Sequence, residues 1–195
     1  MAGPPPPGLR RAAALVAALN LGYFGVEAGL ALAIGSVALF ADSIDFLEDA
    51  AVNALIVVAL GWSARKRAMV GALLGALILA PTVATAWTAW EKLLEPAAPP
   101  ALPLLLGGVG ALAVNTLCAF LIAPYRAAGG SLSRAAFLSA RNDAIANAAI
   151  IAAAGVTAAT LSPWPDLVVG LGILALNARA ALEVWEAAHT EYRSR

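Results

Sequence analysis

Histidine, cysteine and charge are all scarce in this 195-residue chain, and each scarcity excludes a class of protein. The only histidine, His189, lies close to the C-terminus, so a metal site in the body of the chain would contain no imidazole. The single cysteine, Cys118, sits in an apolar run and excludes both a disulfide framework and a CxxC metal motif. Charged residues make up only 12% of the sequence, and no basic surface interleaved with aromatic residues is present. Nucleic acid is therefore excluded as a partner.

Apolar residues are abundant instead: 62% of the residues are hydrophobic, and the mean hydropathy is +0.83. This composition excludes an ordinary soluble domain and is typical of a protein that crosses a membrane several times. Because a membrane-crossing helix needs about 20 mostly apolar residues, the sequence predicts an all-α membrane protein with six transmembrane helices. The predicted spans are 12–34, 36–61, 69–90, 101–123, 135–161 and 167–188.

The basic residues predict how these helices are oriented. Nine of the twelve Lys and Arg residues flank one side of the predicted bundle, whereas Lys92 alone flanks the other. Because short cytoplasmic loops are enriched in Lys and Arg, both termini are predicted to be cytoplasmic. The chain is thus divided into a Pro/Gly-rich tail at 1–11, a six-helix transmembrane domain at 12–188 and a short tail at 189–195. The expected location is a bacterial cytoplasmic membrane.

The second predicted span carries four acidic residues, Asp42, Asp45, Glu48 and Asp49, where a membrane helix should be apolar. Each acid near the centre of such a helix costs about 2.5 to 3.5 kcal/mol on insertion scales, so the four cannot face lipid. At about 100° per residue the three aspartates share one helical face. Aligned aspartates repel one another unless a positive charge lies between them. The face therefore predicts a cation or proton site, with polar contacts between helices as the alternative.

The fifth predicted span offers partners for this acidic face. Asp143 and Asn147 lie four residues apart, and hence on one side of a helix, in a stretch that weakly repeats the second span. Repeats that place polar residues at corresponding mid-span positions point to the binding site of a transporter. At about 1.5 Å per residue, the antiparallel order places Asn147 level with Asp45 and Asp143 level with Asp49. Two neighbouring helices could thus enclose one point near the midplane with these four oxygen-bearing side chains.

Two further observations concern a known family, the cation diffusion facilitators. The second-helix signature of that family is similar to S-V-A-L-F-A-D-S-I-D-F-L-E-D, and its sixth helix is similar to W-P-D-L-V-V-G-L-G-I-L-A-L-N-A-R-A-A-L-E-V-W. The resemblance covers residues 12–188 and implies cation efflux, the export of divalent metal ions by antiport against protons. It also implies the metal ligands, which are Asp45 and Asp49 in the second helix with Asp143 and Asn147 in place of the fifth-helix pair.

The departures from the family pattern bear on the metal and on assembly. The family usually has His or Asp followed by Asp in the fifth helix, so Asn147 replaces a carboxylate with an amide. An all-oxygen site suits harder ions such as Mn²⁺, although Zn²⁺ also accepts Asp and binds most sites more tightly. Zinc and manganese are therefore ranked together, ahead of iron, cobalt and cadmium. The cytoplasmic metal-binding domain that supports dimerisation in the family is missing, which leaves a homodimer open.

Three more acids are assigned to the ion path or to proton transfer: Asp42, Glu48 and Glu27. Asp42 lies nearer the outer end of its helix, where it could also be a helix cap. The expected partners are the transported metal ion, protons and the lipid bilayer, with no separate cofactor and no enzymatic activity. One alternative is a metal-binding membrane protein that does not transport. The other is an intramembrane aspartyl protease, which also pairs two aspartates, although the G-x-G-D and Y-D motifs of such proteases are missing.

Overall fold

The structure, a computed structural model, describes residues 8–59, 69, 82–125 and 130–193. Within these residues all regular secondary structure is helical, which confirms the all-α prediction. A short 3-10 helix, Ala123–Tyr125, follows the fourth of the long helices. The α-helices are α1 (Leu9–Ile34), α2 (Val37–Ala59), α3 (82–94), α4 (Ala101–Ile122), α5 (Gly130–Thr160) and α6 (Trp164–Arg193).

Several predicted features lie outside the described residues. They are most of the N-terminal tail, the greater part of the third predicted span with Pro81, and the basic residues at 65–67 and 126. Side chains are described in α5 from Ser139 onward, except those at 140 and 141, and in α6 as far as Arg179.

The α1–α2 hairpin is encoded by a glycine and a serine. Gly35 ends α1 with a left-handed φ of 65°, and its N–H donates to the carbonyl oxygen of Ala31. A glycine adopts this φ without the steric cost of a Cβ. Ser36 then caps α2, because its hydroxyl accepts the N–H of Leu39 at 3.1 Å. The turn falls where the predicted boundaries at 34 and 36 place it.

The turn between α5 and α6 contains the sequence S-P-W-P. α5 ends at Thr160 and α6 begins at Trp164, ahead of the predicted boundary at 167. Pro165 lies in the first turn of α6, where a proline is tolerated because the first N–H groups of a helix have no intrahelical partner. The helix therefore includes this proline instead of starting after it.

α2 is the central helix of the bundle. It packs against α1, α4, α5 and α6, whereas α4 packs mainly against α1 and α5. Leu39 of α2 belongs to a buried apolar cluster with Leu104 of α4, Ile150 of α5 and Ile173 of α6. This central position explains how the acids of α2 can lie inside a membrane protein without facing lipid.

An ion-pair network closes the end of the bundle where Ser36, Lys92 and Asp166 meet, called here the Ser36 end. Asp166 of α6 accepts hydrogen bonds from the Ser36 hydroxyl at 2.5 Å and from the N–H of Val37 at 2.9 Å. Lys92 of α3 donates to Asp166 Oδ2 at 2.9 Å and to the carbonyl oxygen of Gly35 at 2.6 Å. Asp166 is fully buried, and its negative charge suits the N-terminus of α2. The network joins three helices and the α1–α2 turn.

Within the part of the chain that the structure describes, three helical segments are long and apolar enough to cross a membrane by length and composition: Leu9–Ile34, Ala101–Tyr125 and Asn142–Thr160. α2 does not fit that description, because four acids fall within its 23 residues. Large apolar side chains are exposed on the outside of the bundle, among them Trp87 and Trp164 near the Ser36 end. Exposed tryptophans at one end of a bundle are typical of the interface between membrane and water.

The close approach of α6 to α2 requires a glycine at position 170. A Cβ at Gly170 would lie 2.7 Å from the backbone nitrogen of Ala38, whereas a Cβ at Gly172 would meet nothing within 4 Å. We expect Gly170→Ala to destabilise the protein by about 1 to 3 kcal/mol, because the backbones must move apart. Gly172→Ala should be neutral or stabilise by up to about 1 kcal/mol through helix propensity. Thermal unfolding of the two purified variants checks this, and equal melting temperatures would contradict it.

Candidate metal site

The acidic face of α2 points into the bundle, as predicted. Asp42 is fully buried and Asp49 is 4% exposed, while Asp45 and Glu48 are half-buried. Asp42, Asp45 and Asp49 lie on the same side of α2, because residues three and four apart share a helical face. Asp42 does not cap α2, since Ser36 and Asp166 bind the N-terminus of that helix.

One contact between α2 and α5 joins Asp49 to a serine. The hydroxyl of Ser139 donates to Asp49 Oδ1 at 2.9 Å. The carboxylate of Asp143, one turn further along α5, interacts with the same hydroxyl. Asn53 donates to the backbone carbonyl oxygen of Asp49 at 2.8 Å and leaves the carboxylate free for this contact. Ser139 therefore joins α5 to Asp49 of α2, and Asp143 lies close to the same hydroxyl.

A second contact between the same helices lies nearer the Ser36 end. Asn147 Nδ2 is 3.5 Å from Asp42 Oδ1, and it also donates to the backbone carbonyl oxygen of Asp143. Asn147 is fully buried. The structure thus brings α2 and α5 together along the faces that carry Asp45, Asp49, Asp143 and Asn147.

The register between α2 and α5 differs from the predicted one by about one helical turn. The span boundaries predict that Asp49 lies level with Asp143, whereas the contacts join Asp49 to Ser139 and Asp42 to Asn147. Asp143 lies close to the acids of α2, among them Asp45 and Asp49. The difference arises because depth counted from the ends of two spans ignores the angle at which packed helices cross.

The site side chains are joined in small groups. Among the side chains that the structure describes, no three from His, Cys, Asp or Glu meet closely enough to hold a metal ion as they stand. Ser139 is hydrogen-bonded to Asp49, and Asn147 contacts Asp42. The ligand set Asp45, Asp49, Asp143 and Asn147 therefore stays a prediction, for which the structure supplies the shared interface.

Two other acids assigned to the ion path lie near this interface. Glu27 of α1 is fully buried and faces Asp42. Glu48 is half-buried and adjoins Asp49 on α2. α1 therefore contributes a carboxyl group to the region between the helices.

Sequence reasoning did not single out Ser139 as a site residue. It precedes Asp143 by four residues, so the helical period places both on one face of α5. A serine one turn from a predicted ligand is the signal that would have identified it. Its hydroxyl adds another oxygen to a site that is otherwise made of carboxylates and an amide.

Comparison with known proteins gave one family match. The family model described as the cation efflux transmembrane domain matches residues 13–188, which is nearly the whole chain. A search of curated proteins gave no significant match. The matched range contains the acidic face of α2 and both Asp143 and Asn147.

Proposed function

The chain belongs to the cation efflux family, and on that premise we propose that it exports a divalent metal ion, zinc or manganese, in exchange for protons. Membership of the family, together with the apolar helices, identifies a multi-pass membrane protein and a cation transporter of the cation diffusion facilitator kind. The family consists of transporters rather than enzymes. The identity of the metal, the direction of transport, the exchange for protons and the ligands belong to the proposal.

The observation that carries the proposal is the contact between Ser139 and Asp49. It holds α5 against the acidic face of α2, so that Asp143 faces the same interface. Carboxylates from two helices thus approach one another inside a membrane protein, which is costly unless a positive charge joins them. We infer that the cargo ion is this charge and that it binds to Asp45, Asp49, Asp143 and Asn147.

The chemistry of these donors limits the choice of metal. Three carboxylates, an amide oxygen and the neighbouring Ser139 hydroxyl are all hard ligands, which suit Mn²⁺. Zn²⁺ also binds carboxylates and exceeds Mn²⁺ in affinity at most sites. We therefore propose zinc or manganese as the cargo, with iron, cobalt and cadmium as weaker candidates.

Exchange for protons follows from the use of carboxylates as ligands. A carboxylate must be deprotonated to bind a metal ion, so protons and metal compete for the same oxygens. If the metal-loaded and proton-loaded forms favour openings on opposite sides of the membrane, each cycle moves the two in opposite directions. This competition is enough to couple the movement of the metal ion to the movement of protons.

The placement in the membrane is also part of the proposal. We propose that six helices cross the membrane, that both termini are cytoplasmic and that the membrane is the bacterial cytoplasmic membrane. Lys92, which the basic-residue pattern assigns to the outer side, is 7% exposed and paired with Asp166, so its charge is neutralised there. The proposed orientation rests on the positions of the Lys and Arg residues along the sequence. A homodimer is the proposed assembly.

Transport by the purified full chain in proteoliposomes tests the proposed function. Vesicles that contain a pH-sensitive dye receive Zn²⁺ or Mn²⁺ outside, with and without a pH gradient. We expect metal uptake, and a proton flux in the opposite direction that rises with the metal concentration. Metal binding without flux would favour the alternative of a metal-binding protein that does not transport. Metal flux that does not depend on the pH gradient would contradict the proposed exchange of metal ions for protons.

A further inference from the structure

Glu27 of α1 meets Asp42 of α2 in the interior of the bundle. Both side chains are fully buried. Their carboxyl groups lie close to each other. Two bare carboxylates repel strongly in a medium of low dielectric constant, so a positive charge is needed between them.

Four oxygen atoms around this contact have no hydrogen-bond donor among the described residues. They are both carboxylate oxygens of Glu27, Oδ2 of Asp42 and Oδ1 of Asn147. Buried polar atoms without a partner are costly and uncommon in folded proteins. Their concentration at one place therefore indicates that something else binds there.

The neighbouring donors are already engaged elsewhere. The hydroxyl of Tyr23, one turn before Glu27 on α1, donates to the carbonyl oxygen of Gly107 at 2.7 Å. The amide nitrogen of Asn147 is directed at Asp42 Oδ1 and at the carbonyl oxygen of Asp143. These contacts leave Glu27 and Asp42 Oδ2 without a donor, and they leave the amide oxygen of Asn147 free to act as a ligand.

We propose that Glu27 and Asp42 form a second binding position for the transported divalent cation, together with the amide oxygen of Asn147, which this position shares with the ligands proposed above. This proposal rests on the proposed function, because it gives α1 a part in the same ion path. Two carboxylates and an amide oxygen from three helices suit a hard cation such as Mn²⁺. A single shared proton would engage one oxygen of each carboxyl group and leave the other oxygen of Glu27 and the amide oxygen of Asn147 unpaired. A divalent cation that lies between the two carboxyl groups balances the charge of both.

The second position lies between the Ser36 end and the ligands proposed above. Asp42 precedes Asp45 by three residues, which is about 4.5 Å along the helix axis. An ion moves through a protein more readily when it can pass between neighbouring sites that each bind it weakly. A cation that leaves Asp45 and Asp49 toward the Ser36 end would reach Glu27 and Asp42 next.

Mn²⁺ binding to the purified full chain, measured by electron paramagnetic resonance, tests the second position. We expect about two ions per wild-type chain, and about one ion after Glu27→Gln, which keeps the size of the side chain and removes its charge. Asp49→Asn should also retain about one ion. The control is Glu95→Gln, which removes an exposed carboxylate and should leave the stoichiometry at about two.

A second measurement covers the case in which Glu27→Gln does not fold well. Mn²⁺ should raise the melting temperature of the Asp49→Asn chain, because a ligand that binds only the folded state stabilises it. Mn²⁺ should not raise that of the Asp49→Asn chain with Glu27→Asp added, because the shorter side chain withdraws the carboxylate.

The outcomes separate the two proposals. Equal stoichiometry in wild type and Glu27→Gln, with loss of binding in Asp49→Asn, overturns the second position and leaves the proposed function intact. Absence of Mn²⁺ and Zn²⁺ binding together with absence of flux in the wild-type chain overturns both.

Discussion

Replacing Asp49 with alanine is expected to reduce metal-driven proton flux in proteoliposomes to the level of empty vesicles. Asp49 is the carboxylate of α2 that contacts α5 through Ser139, so the change removes a proposed ligand and the bridge between the helices together. Loss of residues that only support metal ligands costs about 10- to 100-fold in affinity or activity, and loss of a ligand should cost at least as much. Asp143→Ala should have the same effect from the other helix.

Two controls accompany this experiment. Glu95→Ala removes an exposed carboxylate beyond the end of α3 and should leave the flux unchanged. Asp49→Glu keeps the charge and should retain part of the activity, which a purely structural role for the side chain would not predict. Wild-type flux in Asp49→Ala would rule out Asp49 as a ligand and with it the site between α2 and α5.

The acidic face of α2 could be predicted because it depends on the sequence of one helix. The spacing of Asp42, Asp45 and Asp49 and the cost of charge in lipid together require these side chains to point inward. Their burial in the structure agrees with this requirement. The boundary between α1 and α2 was predicted nearly as well, because Gly35 and Ser36 act on the backbone of their own turn, whereas α5 begins and α6 ends five residues outside the predicted spans.

Contacts between helices were harder to predict, because they depend on the angle at which two helices cross and on their relative register. The sequence places Asp143 level with Asp49, but α5 is displaced by about one turn, so that Ser139 meets Asp49 and Asn147 meets Asp42. A shift of four residues along α5 keeps the same side chains on the face toward α2, but it changes which residues of α2 they contact. Periodicity therefore identifies which side chains point inward, whereas the pairing between them needs the packed structure.

Lys92 shows a further limit of sequence reasoning. As the lone basic residue on its side, it served only to orient the bundle, and its partner Asp166 is 74 residues away in the chain. Nothing local to either residue predicts the pair. Packing of α3 and α6 beside the α1–α2 turn brings the two charges together, and the N-terminus of α2 supplies further donors to Asp166.

Asp166→Ala is expected to destabilise the folded protein by about 3 to 5 kcal/mol, the range for removing one partner of a buried ion pair. Among the described residues, the change leaves the buried ammonium group of Lys92 with the carbonyl oxygen of Gly35 as its remaining acceptor, and it leaves the N-terminus of α2 without a negative charge. Thermal or denaturant unfolding of the purified protein in detergent measures the loss.

Lys92→Met should cost less, because Asp166 keeps hydrogen bonds from Ser36, Val37 and Ala38 after the ammonium group is gone. Adding Lys92→Met to Asp166→Ala should recover part of the lost stability, since the double variant no longer buries an unpaired charge. Full recovery is not expected, because the N-terminus of α2 still lacks its acceptor. If Lys92→Met were as damaging as Asp166→Ala, the ion pair itself and not the capping of α2 would hold the Ser36 end together.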